Sequence, residues 1–297
     1  MAVAVERAPR TGTRRTLRHL RPLAYLWSPV GLLLLFFAAP LAIMFTISLE
    51  YDSLYTQHSG FTLSNYSDIF SDPLYRHVAF DTFVIASAAM LVQFAIAVPL
   101  AYILAFRSGR WELPLLLGLV LSDQLNSIIR IYAWRTLLGR EGILNGALES
   151  AGITSHPITA LLFSKTAVVL VLSTSWLTYT AIPIYAAMKA IDSQLFEVAS
   201  DLGANWFVTL RRILLPLAAP GIFIAILLVY IPLFTEFATP ALVGGTSTYM
   251  LGNAINDLIL VSGNWGGGAA LSFLVLLASG FVAVLAYFLA KLNTIDT

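Results

Sequence analysis

The amino-acid sequence predicts an all-α polytopic membrane protein with six transmembrane helices. Hydrophobic residues make up 58% of the 297 residues and charged residues only 11%. The mean hydropathy of +0.81 is far above that of a soluble domain. Long apolar stretches recur six times, and none alternates between polar and apolar residues with the period of two that a half-buried strand requires.

Each apolar stretch is long enough for one helical crossing, which needs about 20 residues for a hydrocarbon core of about 30 Å. Several stretches contain proline, which membrane helices tolerate because neighbouring helices can satisfy the freed backbone groups. We therefore expect one helix from each stretch. The predicted spans are residues 23–49, 83–106, 114–138, 160–188, 214–237 and 269–291.

Lysine and arginine are distributed unequally between the two sides of this predicted bundle. If both termini share one side, that side carries twelve basic residues and the other carries only Arg76 and Arg140. The positive-inside rule therefore predicts that the N- and C-termini are cytoplasmic. The basic tail, residues 1–22, is expected to orient the first span and to contact the lipid bilayer, and no nucleic-acid partner is expected.

The predicted cytoplasmic loop 189–213 has the pattern of an ordered helix rather than of a linker. Apolar residues recur there at helical spacing, and capping residues stand at both ends of the run. A helix outside the bilayer with an exposed apolar stripe needs a partner. The stripe consists of Leu195, Val198, Ala199 and Leu202; Asp192 or Ser193 would cap its start, Gly203 would end it, and Asn205 would cap a second helical turn.

This loop resembles the "EAA" coupling loop in the permease subunits of binding-protein-dependent ABC importers. The resemblance rests on Glu197, on Ala199 and Gly203 after it, and on the run into Pro216, with Val198 in place of the first alanine of the motif. Three further blocks are similar to the spermidine/putrescine (polyamine) branch of that family. They are NSIIRIYAWRTLLGREGILN at 126–145, FATPALVGGTSTYMLGNAI at 237–255 and NWGGGAALS at 264–272.

The resemblance implies a type I importer permease (MetI-like) fold: a peripheral first helix, residues 23–49, and a five-helix core, residues 79–291. It also implies a bacterial inner-membrane location and three kinds of protein partner. These are a dimer of ATPase subunits that bind ATP and Mg²⁺, a second, non-identical permease, and an extracytoplasmic solute-binding protein. The implied coupling residues are Leu195, Phe196, Glu197, Val198, Ala199, Leu202 and Gly203.

The chain itself is not expected to be an enzyme or to hold a cofactor or metal. It contains no GxxxxGK[ST] phosphate loop, no cysteine, and only four histidines, scattered without metal-ligand spacing. Uphill transport would therefore take its energy from a partner ATPase or, as the alternative, from an ion gradient. An ion-driven secondary transporter would show inverted repeats and interrupted helices, which the sequence does not display. A scaffold without transport would leave its inward polar faces unexplained.

Ionisable residues inside spans are costly and therefore indicate function. Asp123, Asn126 and Arg130 recur with Trp134 at the spacing of one helical face of the third span. Asp123 stands where polyamine-type relatives usually have an aromatic-rich segment. These side chains could meet a cationic solute, or they could pack helices together, and an Arg130–Glu236 ion pair could close a gate. The candidate pathway residues are Asp123, Asn126, Arg130, Trp176, Tyr179, Tyr230 and Glu236.

The outer loop 239–268 is rich in glycine, with Gly244-Gly245 and Gly266-Gly267-Gly268. Such a loop can be a flexible connector or can pack closely against protein. Because it matches one of the family blocks, we expect an ordered contact with the binding protein or with the mouth of the pathway.

Overall fold

A computed structural model describes residues 21–50, 60–246 and 248–295, and within these residues the chain is helical apart from turns and one isolated β-bridge between Glu50 and Phe61. The predicted tail 1–22 therefore falls almost wholly outside the described residues. Besides shorter 3-10 and π segments, the helices are α1 Arg21–Ser48, α2 Ser64–Ser71, α3 Pro73–Arg107, α4 Glu112–Asp123, α5 Ser127–Leu138, α6 Ile143–Ser150, α7 Lys165–Ser175, α8 Leu177–Lys189, α9 Gln194–Asp201, α10 Trp206–Leu217, α11 Ala219–Thr235, α12 Leu251–Val261 and α13 Trp265–Ile295.

Six membrane crossings are present when each bent pair of helices is taken as one span. Three are single helices, α1, α3 and α13. The other three are pairs that bend at a short break, by 93° between α4 and α5, by 47° between α7 and α8, and by 68° between α10 and α11. The predicted all-α, six-span fold is confirmed, but the expectation of one helix from each of the stretches 114–138, 160–188 and 214–237 is wrong.

Local chemistry explains why the third pair of helices breaks. Pro220 stands in the first turn of α11, and its ring lacks an N–H and clashes with the carbonyl four residues earlier. That carbonyl belongs to Pro216, inside α10. Helix α10 therefore ends at Leu217, and α11 begins after Ala218, where Pro220 cannot continue the hydrogen bonding of α10.

The break between α7 and α8 involves hydroxyl groups instead of proline. Thr174 and Ser175 both donate side-chain hydrogen bonds to the carbonyl of Val171, at 2.9 and 2.8 Å, an arrangement that bends helices. The Ser175 carbonyl itself accepts a bond from the guanidinium of Arg130. Helix α7 therefore ends there, and α8 begins after Trp176.

The centre of the bundle is formed by α3, α7, α8 and α11, which pack against one another, while α1 lies at the edge along α13. Small residues allow close approach in the half of the bundle nearer the loop 189–213, where Ala97, Ala101 and Ala181 are fully buried beside Ile184. A Cβ on Gly221 would come within 2.4 Å of the Pro183 carbonyl, so α8 and α11 nearly touch. These contacts hold α8 against the rest of the core.

The loop 239–268, predicted to be an outer loop, is folded and is not a flexible connector in its described part. It contains a π turn, Pro240–Gly244, and helix α12. The Asn253 side chain donates to the Phe237 carbonyl at 2.9 Å, and Gly252 lies so close to the Thr235 and Glu236 carbonyls that a Cβ would clash. The loop is thereby fixed to the C-terminal end of α11.

Candidate functional site

Helix α9 forms where the loop pattern predicted it. The Asp192 carboxylate accepts from the Gln194 N–H at 3.0 Å, so Asp192 and not Ser193 provides the cap. At the other end Gly203 has a φ of +78°, and the Ala204 N–H reaches back to the Ala199 carbonyl at 2.9 Å. This is the glycine-terminated helix end that the sequence indicates.

The next helix, α10, starts at the second predicted cap. Asn205 accepts from the Val208 N–H at 2.9 Å. Between α9 and α10 the chain therefore makes one sharp turn at Gly203, and both helices are defined by side-chain caps.

The apolar residues of α9 divide between two faces. Ala199 is buried, and the Phe196 ring packs edge-on against Phe106 of α3 at 4.9 Å between centroids. The other side of the helix is open: Leu195, Val198 and Leu202 are 44%, 56% and 83% exposed. One face thus anchors α9 to its own chain, and the other remains available to a partner.

A second site lies at the broken helices, in a cavity of about 290 Å³. It brings together five of the seven predicted pathway residues, although these stand on three different helices and at two helix ends. Its lining residues are Asp123, Leu125, Ser127, Arg130, Ile131, Ser175, Trp176, Tyr179, Glu236 and Thr239.

Arg130 holds the wall of this cavity together. One guanidinium nitrogen donates to the Ser175 carbonyl at 2.8 Å. The other lies 3.2 to 3.3 Å from the carbonyls of Ser122, Asp123 and Leu125 at the end of α4. The planar fork of arginine can serve several acceptors at once. Arg130 therefore supplies donors to two helix ends that would otherwise lack partners.

The predicted single helical face through Asp123, Asn126, Arg130 and Trp134 does not exist, because α4 ends at Asp123 and α5 begins at Ser127. Asn126 caps α5 by accepting from the Ile128 N–H at 2.9 Å. Asp123 and Arg130 nevertheless meet, with 3.6 Å between carboxylate oxygen and guanidinium nitrogen. The break, not a shared face, brings them together.

Glu236 is the second carboxylate of the cavity. It stands at the end of α11, and one of its oxygens accepts from the N–H and the hydroxyl of Thr239 at 3.2 and 3.3 Å. Among the residues that the structure describes, no basic side chain forms an ion pair with Glu236 within 4.0 Å. Arg130 pairs with Asp123 instead. The Arg130–Glu236 pair considered from the sequence is therefore not formed.

Two aromatic rings complete the cavity wall. Trp176 and Tyr179 lie with their centroids 5.5 Å apart, and Tyr179 is 42% exposed. With two carboxylates against one guanidinium, the cavity carries a formal charge of −1. Carboxylate charge and aromatic faces together suit an organic ammonium group.

Two of the predicted pathway residues lie elsewhere. Asn126 is outside the cavity lining and serves as a helix cap. Tyr230 is buried in the core, where its hydroxyl is 2.9 Å from Ser87 and its ring contacts Phe234. Sequence reasoning overlooked Ser175 and Thr239, whose positions depend on helix breaks that the hydropathy pattern does not reveal.

Comparison with known proteins places the chain in a family. Residues 79–293 match the binding-protein-dependent transport system inner membrane component family. The spermidine/putrescine transport system permease protein PotB of Haemophilus influenzae is 36% identical over 211 residues, covering 71% of this chain and 73% of that protein. PotB of Escherichia coli K12 is 34% identical over 254 residues, covering 85% and 92%.

A solved structure shows the same fold. It is a bacterial ABC transporter involved in the import of the acidic polysaccharide alginate, with a TM-score of 0.73 and 15% identity, covering 94% of this chain and 99% of that chain. A fold shared at this identity does not determine what is carried. The residues matched and the identities over most of the chain do determine the family: this chain belongs to the inner membrane components of binding-protein-dependent transport systems, the ABC importer permeases, and its relatives confirm the resemblance to the polyamine-type branch.

Proposed function

We propose that the chain is the permease subunit of an ATP-driven importer and carries a small organic cation of the polyamine type. The observation that supports this most directly is the cavity at the α4–α5 break. It contains two carboxylates, one guanidinium and two aromatic rings, and its Glu236 carboxylate has no basic partner among the described residues. Two permeases that are 36% and 34% identical to this chain are named for spermidine and putrescine transport.

The cavity has the size and the composition for part of such a solute. Its volume of about 290 Å³ is near the lower end of ordinary ligand sites, about 300–1,000 Å³. A polyamine has an ammonium group at each end of a flexible apolar chain. One ammonium would meet Glu236, while the methylene groups would lie against Trp176 and Tyr179. The rest of the solute would then lie against the second permease subunit.

The energy for transport would come from two partner ATPase subunits that bind ATP and Mg²⁺. The exposed face of α9, formed by Leu195, Val198 and Leu202, is the surface that we assign to them. An external binding protein would deliver the solute on the opposite side, and a second, non-identical permease would complete the pathway. In this assembly the chain lies in a bacterial inner membrane with both termini in the cytoplasm.

One structural observation bears on the ion-driven alternative. Interrupted helices with ionisable residues at the break are typical of secondary transporters, and the sequence did not reveal the three interruptions that the structure contains. The absence of interruptions therefore no longer argues against that class. The family match over residues 79–293 favours the ATP-driven importer instead.

The substrate class is tested by competition for uptake. In vesicles that contain the assembled complex and its binding protein, labelled spermidine or putrescine should enter, and unlabelled diamines should compete. Uncharged diols of the same length and dicarboxylates should not compete. Equal competition by the diols would contradict a role for the cavity charge.

A further inference from the structure

A cluster of polar side chains joins three helices at the cytoplasmic side of the bundle. Glu112, the first residue of α4, accepts a hydrogen bond from the Lys189 ammonium at 2.8 Å. Its other carboxylate oxygen accepts from the Tyr185 hydroxyl. The same ammonium lies 3.4 Å from the Ala105 carbonyl in the last turn of α3. Glu112, Tyr185 and Lys189 are called the clamp below.

The clamp lies between the coupling loop and the cavity. Lys189 is the last residue of α8, and α9 begins only five residues later, at Gln194. Glu112 begins α4, and Asp123, at the cavity, ends it. Twelve residues of helix span about 18 Å at 1.5 Å per residue. Helix α4 is thus a rod with the coupling loop near one end and the cavity at the other.

Helix α4 has few other means of holding its position. None of its twelve residues is buried, and of these only Leu119 packs, partly buried, against the hydrophobic core. Its other polar contacts include the Thr178 hydroxyl, which donates to the Leu119 carbonyl at 3.1 Å, and the guanidinium of Arg130 at its last turn. The position of α4 therefore depends on polar contacts, of which the clamp is the one nearest the loop.

The coupling loop also has an apolar contact beside the clamp. The Trp206 ring lies 4.5 Å from the Tyr102 ring, and the Phe196 ring lies 4.9 Å from Phe106, between centroids. Both partners belong to the end of α3, where a π turn, Ile103–Arg107, replaces regular helix. These rings connect α9 and α10 to the end of α3, and the clamp connects the end of α8 to α4.

We propose that Glu112 and Lys189 make α4 move with the coupling loop, so that displacement of α9 shifts the Asp123 end of α4 and alters the cavity. The inference rests on the proposed function, because it supposes a partner ATPase that moves α9. Glu112 and Lys189 are positioning residues: they act on the cavity through α4 and do not touch the solute. The pair is partly exposed, with side-chain exposures of 47% for Lys189 and 26% for Glu112, and such pairs contribute little to stability. Breaking it should therefore impair coupling more than folding.

The test uses the assembled complex in vesicles and measures ATP hydrolysed and solute taken up in the same sample. Glu112→Gln and Lys189→Gln each remove one charge of the clamp. We expect assembly and ATP hydrolysis to persist while the ATP consumed per solute rises about five- to tenfold, at the low end of typical coupling between sites. Lys165→Gln is the matched control, because Lys165 makes a 2.8 Å ion pair with Asp81 and has the same 47% exposure. Lys165→Gln should leave the amount of ATP hydrolysed per solute unchanged.

Tethering separates a mechanical role from a structural one. The chain has no cysteine, so Glu112→Cys combined with Lys189→Cys provides two unique thiols. This variant should be uncoupled, and a short bis-maleimide linking the two thiols should restore the ratio. A normal amount of ATP hydrolysed per solute in Glu112→Gln and Lys189→Gln would overturn the inference. Failure of the cross-link to restore that amount in the double-cysteine variant would also overturn it. If the wild-type complex itself shows no ATP-dependent uptake, the proposed function fails instead, and the two failures are distinguishable.

Discussion

The guanidinium of Arg130 lies 3.6 Å from the carboxylate of Asp123, and the same nitrogen lies 3.2 Å from the Asp123 backbone carbonyl. A carboxylate buried without a partner in a membrane protein is costly, and here Arg130 provides the compensation. Of the two carboxylates in the cavity, Glu236 is the one that the described residues leave without a basic partner. A cationic solute should therefore depend on Glu236 more than on Asp123.

Glu236→Gln should weaken uptake of a cationic solute more than Asp123→Asn does. Loss of one charge-assisted contact corresponds to about 1.5–3 kcal/mol, so we expect the KM for uptake to rise about tenfold or more in Glu236→Gln. In Asp123→Asn the lost charge was already neutralised, and the change should be smaller. Concentration-dependent uptake of labelled polyamine by the two complexes, at equal assembly, measures the difference. A larger rise in KM for Asp123→Asn than for Glu236→Gln would indicate that the solute pairs with Asp123 instead.

Arg130→Lys should destabilise the protein although it keeps the charge. A lysine cannot serve both the Ser175 carbonyl and the carbonyls at the end of α4, because it lacks the planar fork. Each carbonyl left without a donor costs about 1–3 kcal/mol. Thermal unfolding in detergent should show a lower Tm for Arg130→Lys than for Arg135→Lys. Arg135 is the control, because its side chain lies over the Phe163 ring, a contact that lysine can also make. Equal Tm values for the two variants would show that Arg130 does not hold the breaks.

Gly203→Val should abolish transport while the chain still inserts in the membrane. Gly203 has φ +78°, a conformation that costs a side-chain-bearing residue about 1–2 kcal/mol, so the end of α9 would reshape. Gly152 is a matched control, with φ +70° at the end of α6 and, like Gly203, no neighbouring atom within 4 Å of the place that a Cβ would occupy. Gly152→Val should suffer similar local strain and retain uptake. Normal ATP-dependent uptake by Gly203→Val would contradict a coupling role for this turn.

Single cysteines on either side of the bundle test the orientation of the chain. Ser150 at the end of α6 and Ser193 before α9 are both exposed. With the termini in the cytoplasm, Ser150→Cys should react with an impermeant maleimide in intact cells, and Ser193→Cys should react only after lysis. Ser247, another position in the outer loop, lies outside the described residues. Labelling of both cysteines from the same side would overturn the six-span orientation.

The loop 189–213 could be predicted almost residue by residue because its determinants are local. A cap at Asp192, a left-handed turn at Gly203 and a second cap at Asn205 act over a few residues, and each is visible in the sequence. What could not be predicted is how the apolar stripe divides. Ala199 faces the chain's own core and Leu202 faces outward, which depends on the position of α3 and not on periodicity.

The cavity was predictable only in its residue types. Charged and aromatic residues inside apolar stretches indicated Asp123, Arg130 and Glu236, but their assumed geometry was that of continuous helices. Two of the three breaks have no proline at the break itself, and Arg130 contacts both of them, at the Ser175 carbonyl 45 residues away and at the end of α4. A hydropathy average runs across these helix breaks and therefore cannot locate them.

In the proposed function this permease takes its energy from ATP hydrolysed by a partner and carries a polyamine-type cation. The most direct measurement is uptake of labelled spermidine into vesicles that contain the purified complex, with the binding protein outside and the nucleotide inside. We expect uptake with ATP and Mg²⁺, none with a non-hydrolysable analogue, and no effect of dissipating the sodium and proton gradients. Uptake that proceeds without ATP and stops when those gradients are dissipated would contradict the proposed function.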